Sequence, residues 1–263
     1  MIKLSCATLS FEGFGETDFS KTFDLAPKIG YKNIEFNCWY PYSLCPETIR
    51  RLKHKCEQHG LNPMAIHLNG GFGGDPVRDL CHKVQAMQAI KYLGGRMIVS
   101  TGAERGENGG IQGVIKSLKD LAPIAEEMDV LISLENHVNN NIENIEDYRH
   151  IFDAIGSKNV GLCIDTGHFD AAGVDMDALI EEFAPRINHL HLKENAGYGV
   201  KRFTRFNEGT TDNCHIIEKV ISTGYSGYMT VELSPEIGEK DSRPFRLEDL
   251  QLPYKMFSVY ERI

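Results

Sequence analysis

Four side chains suited to a divalent metal stand where four short hydrophobic runs end. Glu135 follows Val130-Leu-Ile-Ser-Leu134, Asp165 follows Val160-Gly-Leu-Cys-Ile164, His191 follows Ile187-Asn-His-Leu190, and Glu232 follows Tyr228-Met-Thr-Val231. Their separations are 30, 26 and 41 residues, which is about one strand–helix repeat each with one interval enlarged. A single Glu or Asp at a strand end is more often a helix cap or a surface charge than a ligand. Four ligand types at successive strand ends are different, because a barrel of parallel strands brings all its C-terminal strand ends to one rim. Three carboxylates and one imidazole meeting there make a cage for one hard-to-borderline cation: Mn²⁺ first, with Mg²⁺, Co²⁺ or Zn²⁺ as alternatives.

The elements needed to position such a cage can be read along the chain. Period-2 and short apolar runs predict strands over residues 2–9, 32–37, 61–68, 96–101, 129–135, 159–165, 186–192 and 227–232. Helical stretches alternate with them over 22–29, 47–59, 77–93, 111–128, 145–155, 177–183, 215–223 and 247–263. Pro46 opens a helix and Gly60 closes it; Asp75-Pro76 caps the next, and Gly94-Gly95 stops it. Pro123 marks an irregularity within its helix, and residues 193–212 read as a long polar loop. Eight regular repeats indicate parallel βα units, and closure into a (β/α)8 barrel leaves no strand edge exposed. The expected organisation is a single α/β domain spanning residues 1–263. A doubly wound open sheet is the weaker alternative, since no G-x-G-x-x-G follows a strand.

The bulk numbers agree with one such domain. The chain has 263 residues, 41% hydrophobic and 25% charged, which is ample for a large core. A formal charge of −9 argues against a nucleic-acid partner, whose phosphates are bound through Lys and Arg. No apolar run is long enough to span a membrane, and the first residues read as a strand rather than a signal peptide. Seven cysteines, without a C-x-x-C pair, suggest reduced thiols and a cytoplasmic setting. Cys6 and Cys163 fall in strands as small core residues.

Five segments carry a likeness: Leu134-Glu-Asn-His137, Cys163-Ile-Asp-Thr-Gly-His168, His189-Leu-His-Leu-Lys-Glu194, Asn207-Glu-Gly-Thr-Thr-Asp212 and Val231-Glu-Leu233. Through them the chain resembles the xylose-isomerase-like barrel superfamily of sugar isomerases and epimerases, of the D-tagatose 3-epimerase, hydroxypyruvate isomerase and inosose isomerase kind. The resemblance implies that Glu135 and Glu232 bind the metal and also act as acid and base. It implies that Asp165 and His191 complete the coordination and that His168 contacts a substrate oxygen. Chemistry supports these roles. Removing a proton beside a carbonyl creates an enediolate, and a cation on the neighbouring oxygens stabilises it. A carboxylate that spends one oxygen on the metal keeps the other for the proton.

Other residues near these segments have open readings. His67, ending the third strand, either touches substrate or is structural. Glu194 either bonds a substrate hydroxyl or braces its loop. Trp39, with Tyr40 and Tyr42, offers an aromatic face to sugar C–H groups or packs within a lid. Glu35 reads as an inward anchor, and His189 as a packed histidine of the outer layer, turned away from His191. Lys193 is excluded as a ligand by its charge, with a rim role near substrate hydroxyls left open. Gly70-Gly-Phe-Gly-Gly74 lacks the ending of a phosphate loop and reads as a mobile rim loop. Arg202 and Arg205 hold an anionic group of the substrate or are surface charges.

The expected function is therefore a metal-dependent isomerase or epimerase of a keto sugar, keto-cyclitol or small hydroxy-keto acid. A dehydratase of the same fold is the alternative. An endonuclease IV-like nuclease needs histidines that Met97-Ile-Val-Ser-Thr101 and Val200-Lys-Arg-Phe-Thr-Arg-Phe206 lack, and a non-catalytic barrel has no need of an intact cage. The partner expected is a small sugar or cyclitol, with a homo-oligomer implied by the resemblance and the C-terminal helix as its contact.

Overall fold

The structure, a computed structural model, describes residues 1–14, 18–233 and 246–262. In chain order the strands are β1 (Lys3–Ala7), β2 (Asn33–Cys38), β3 (Asn62–Leu68), β4 (Met97–Ser100), β5 (Leu131–Glu135), β6 (Val160–Asp165), β7 (Ile187–Leu192), β8 (Glu194–Asn195), β9 (Phe203–Thr204) and β10 (Tyr228–Val231). The helices are α1 (Leu9–Glu12), α2 (Ser20–Ile29), α3 (Pro46–His59), α4 (Pro76–Leu93), α5 (Gly110–Glu127), α6 (Ile145–Ala154), α7 (Thr166–Ala171), α8 (Met176–Phe183), α9 (Asn213–Ser222) and α10 (Leu247–Phe257). Eight strands, all parallel, close in the order β1-β10-β7-β6-β5-β4-β3-β2, with β2 returning to β1. The chain is a single-domain (β/α)8 TIM barrel, as the alternation of runs implies.

Strand alternation sorts the side chains. On β6, Val160, Leu162 and Ile164 join the main apolar core under the helices, while Cys163 packs inside the bore with Met64, Ala65, Met97 and Val99. That bore cluster fills the lower barrel, as layered inward side chains do in this architecture. The same inward parity carries Glu35, Glu135, Asp165, His189 and His191, so the apolar floor supports a polar layer above it. Register brings them level: Asp165 pairs with His191 across β6 and β7, and His191 with Thr230 across β7 and β10. Glu232 extends β10 by one residue, its N–H donating to the Leu192 carbonyl at 2.9 Å.

Helix ends follow local chemistry. The Asp75 carboxylate accepts from Val77 N and Arg78 N, and Asn144 forms a capping box with Asp147. Pro123 sits inside a continuous α5, so it does not interrupt the helix. Three readings of the sequence need correction. The segment after β6 is helical at once, because Asp165 itself caps α7 through His168 N at 2.8 Å. The stretch 193–212 is not all loop: β8 and β9 pair antiparallel within it. The C-terminal helix ends at Phe257 and tightens into a 3-10 turn over Ser258–Arg262; residue 263 lies outside the described residues.

The glycine cluster is also not a free rim loop. Phe72 N bonds the Thr101 carbonyl at 3.0 Å, and Ser100 Oγ and Lys83 Nζ both donate to the Gly70 carbonyl at 3.2 Å. A Cβ on Gly71 would lie 2.2 Å from the Gly102 carbonyl carbon. Glycine is needed there for close backbone approach, not for mobility. All seven cysteines are unpaired, with Cys6 and Cys163 fully buried. No helix among the described residues is long and apolar enough to cross a membrane.

Candidate metal centre

At the C-terminal mouth, one ligand-capable atom from each of Glu135, Asp165, His191 and Glu232 lies within 4.8 Å of the others, and all four residues are buried. His191 Nδ1 is 2.6 Å from Glu135 Oε1 and 3.3 Å from Glu232 Oε2. Lys193 Nζ closes the other side, 3.0 Å from Asp165 Oδ2 and 2.7 Å from Glu232 Oε1. The lysine stem passes over Gly167, where a Cβ would meet its Cγ at 2.7 Å, and the ammonium faces the Phe203 ring at 5.1 Å. Its charge bars it from ligation, as expected, but it stands inside the cage rather than at the rim.

The cage fits a cation on its own chemistry. Glu135 Oε2, Asp165 Oδ2 and Glu232 Oε2 are buried and accept no aligned hydrogen bond, although cationic groups lie within ion-pair reach of each. Buried carboxylate oxygens left this way are costly. A divalent ion held by three carboxylates and a neutral imidazole would satisfy them. Without one, protons supply part of the balance. Burial opposes a charge on His67, yet Glu135 and Glu35 hold its pKa up at about 10. Burial likewise works against charged His191, but Cys163, Glu35 and Glu135 raise it well above the ordinary histidine value. Lys193 is kept firmly charged against its burial by Asp165, Glu232 and Glu135. For Asp165, burial outweighs the help of Lys193 and its pKa rises. Glu135 is held well below the usual carboxylate range: His67, His191 and His137 overcome its desolvation.

Around the cage, His67 Nε2 is 3.0 Å from Glu135 Oε2, so this residue does reach the centre. Trp39 stands edge-on to His67 with ring centroids 5.1 Å apart, and Tyr40 and Tyr42 stack on each other. His168 is buried, accepts from Val138 N at 3.5 Å through Nδ1, and stacks on His137 at 3.8 Å. Burial first, then His137 and Lys193, push its pKa well below the usual value, so the ring is neutral and its Nε2 carries the hydrogen. His137, the last residue of the segment Leu134-Glu-Asn-His137, is a site residue that the sequence reading does not single out. Half-exposed, with Nε2 3.3 Å from Glu135 Oε2, it belongs to the site. Its place two residues beyond Glu135 was the available signal.

Two readings do not hold as stated, those of His189 and Arg205, and the open reading of Glu194 is narrowed. His189 is not in the outer layer: residues two apart on a strand share a face, and its Nε2 lies 2.8 Å from Glu35 Oε2 inside the bore. Glu194 is occupied with its own loop, Oε1 accepting from Thr211 N at 3.0 Å and Oε2 from Asn207 N at 3.3 Å. Its geometry shows the loop brace, one of the two readings that the sequence leaves open. Arg205 is neither a surface charge nor in the cage, since it is buried with Nε 3.2 Å from Asp249 of α10; Arg202 is exposed.

Residues 23–247 match the model of the family described as xylose isomerase-like TIM barrel. Among curated proteins, the rhizopine catabolism protein MocC of Rhizobium meliloti is 27% identical over 83% of this chain and 75% of its own length. An inosose dehydratase of Geobacillus thermodenitrificans is 27% identical over 83% of each chain. A D-psicose 3-epimerase of Enterocloster bolteae is 25% identical over 67% of this chain and 66% of its own. Two further relatives are matched over only 41% and 47% of their length. Of solved structures, an L-ribulose 3-epimerase superposes with a TM-score of 0.80 at 18% identity, covering 98% of this chain and 94% of that one. The IolI protein with a bound zinc atom gives 0.77 at 21% identity, covering 98% and 97%.

Proposed function

This chain belongs to the xylose isomerase-like TIM barrel family, and from that membership we propose that it is a divalent-metal-dependent isomerase or epimerase. Its substrate is a keto sugar, keto-cyclitol or small hydroxy-keto acid, and the reaction passes through an enediolate. The observation that carries the reading is the convergence of Glu135, Asp165, His191 and Glu232 within 4.8 Å, with unsatisfied oxygens turned inward. Epimerase and zinc-bearing relatives support it. Those four residues hold the ion, Mn²⁺ by preference. When bound, the cation supplies charge stabilisation to the oxygens of the substrate.

The remaining work falls to the side chains. Glu135 directs Oε2 toward His67 and His137, away from the His191 edge, and takes the proton beside the carbonyl. Glu232 serves the opposite side and returns one. Delivery to the same carbon epimerises; delivery to its neighbour isomerises. His168, a neutral donor, bonds a substrate oxygen, while Trp39 and His67 line the approach. The chain acts in a cytoplasmic setting.

A dehydratase reading is favoured by one feature, the ammonium of Lys193 beside Glu232, which can donate a hydrogen bond to a departing hydroxyl. The inosose dehydratase relative points the same way. Proton NMR in D₂O with Mn²⁺ and a panel of keto sugars and cyclitols tests both. Wild type exchanges the hydrogen next to the carbonyl, and Glu135→Gln and Glu232→Gln each abolish exchange while still binding substrate. Exchange retained in either variant removes that glutamate from proton transfer, and loss of water from the product selects the dehydratase.

A further inference from the structure

We infer that Glu35 is a positioning residue that decides which nitrogen of His191 faces the cage. The inference rests on the metal-centre reading above. Glu35 lies in the middle of β2 with its carboxylate fully buried in the bore. Such a group persists only if donors surround it. Its Oε2 is within hydrogen-bond reach of both rings, 2.8 Å from His189 Nε2 and 3.2 Å from His191 Nε2, and its Oε1 also stands 3.0 Å from His191 Nε2. An ionised carboxylate only accepts, so both Nε2 atoms carry hydrogens.

The consequence falls on the other edge of the His191 ring. Nδ1 is the nitrogen beside Glu135 and Glu232, at 2.6 and 3.3 Å. With Nε2–H committed to Glu35, a neutral His191 must present the Nδ1 lone pair to the cage. An imidazole ligates only through the nitrogen without a proton, and an acceptor behind the ring also makes it a stronger donor to the ion. Glu35 thus acts through His191 without reaching the substrate.

The same strand sets a second ring. Asn37 Oδ1 accepts from Leu9 N at 2.7 Å and from Thr8 Oγ1 at 3.1 Å. Its amide nitrogen is therefore the end facing His67 Nδ1, at 3.3 Å. Once His67 is neutral, a donor there keeps Nδ1 as the acceptor and leaves its hydrogen on Nε2, directed at Glu135 Oε2; the charged ring of the metal-free chain carries both hydrogens, with Nδ1 3.5 Å from Glu35 Oε1. Two inward residues of β2 thus fix the hydrogens of neutral His67 and His191, two of the three histidines beside Glu135.

One rival use of the same groups must be weighed. Glu35, His67, His191 and Glu232 also converge within 4.8 Å and would offer a second ion a place. That ion would need His191 Nε2 while the first takes Nδ1, stripping the ring of both hydrogens. The assignment made here gives one ion per chain.

The full chain, stripped of metal and titrated with Zn²⁺ alone, provides the test. Calorimetry should give one site per chain, and ¹⁵N NMR of histidine-labelled protein should show His191 with zinc on Nδ1 and a proton on Nε2. Glu35→Gln keeps the size of the side chain but replaces one acceptor by a donor, and its zinc affinity should fall about 10- to 100-fold. Zinc on Nε2, two ions per chain, or unchanged affinity in a folded Glu35→Gln would overturn the assignment. If that variant does not fold, the wild-type NMR pattern decides alone. Failure of the wild type to take up any zinc overturns the metal-centre reading itself, and the assignment with it.

Discussion

Replacing Lys193 by Met should separate the metal-free and metal-loaded chains sharply. The ammonium is the only lysine charge within the cage among the described residues, 3.0 Å from Asp165 Oδ2 and 2.7 Å from Glu232 Oε1. Both carboxylates are buried. Methionine keeps the packing over Gly167 and Phe203 but removes the charge. Leaving one side of a buried ion pair unmatched costs about 3–5 kcal/mol. For a chain of this size that corresponds to a melting temperature about 6–20 °C lower in the metal-free protein.

In the loaded chain a divalent ion supplies the missing positive charge, so the loss there should be closer to one hydrogen bond, about 1 kcal/mol. A thermodynamic cycle turns the difference of about 2–4 kcal/mol into metal affinity, roughly 30- to 1000-fold tighter in Lys193→Met than in wild type. Calorimetric titration with Mn²⁺, paired with thermal melts of both forms, reads all four corners. Equal or weaker metal binding in the variant would show that the lysine does not compete with the ion. An unchanged metal-free melting temperature would show that it does not stabilise the empty cage.

Further outcomes follow from the same geometry. In the metal-free chain His67 is raised from 6.5 to about 10, so its stabilising charge is fully present below pH 6.5 and is lost as pH rises toward 10. Metal-stripped protein should therefore lose melting temperature across that window, and Mn²⁺-loaded protein should lose less; a rise in the stripped protein would count against the paired charge. Because a ligating imidazole must be neutral, Mn²⁺ uptake near neutral pH should release protons. Calorimetry in buffers of different ionisation enthalpy measures the number, and zero would contradict a protonated His191 in the empty cage. Gly71→Ala places a Cβ against the Gly102 backbone, an overpacking that costs about 1–3 kcal/mol. Its melting temperature should drop with little change in metal affinity, and full stability would restore the free-loop reading.

The barrel was legible because the strand–helix alternation is regular and its helices are closed by ordinary caps such as Asp75 and Gly60. The four cage residues were legible because each ends an apolar run, and parallel strands must deliver such positions to one rim. What escaped depended on contacts between segments. Nothing local says that Glu194 will spend both oxygens on backbone N–H groups at 207 and 211, since those groups arrive only when β8 and β9 pair. Arg205 finds Asp249 more than forty residues away. Gly71 looks like a flexible residue until the Gly102 backbone is placed against it. His189 is a different kind of miss, because strand parity alone puts it on the same face as His191. The early helix α7 escaped because its six residues, Thr166–Ala171, are too few to show a helical period, although a carboxylate at a strand end, as Asp165 is, can cap the chain that follows.

The most direct test of the metal centre is a crystal of the Mn²⁺-loaded chain examined by anomalous scattering. One peak is expected at the barrel mouth, within about 2.0–2.3 Å of one atom from each of Glu135, Asp165, His191 and Glu232. A peak held by other residues, or a mouth without one at saturating Mn²⁺, would contradict the account.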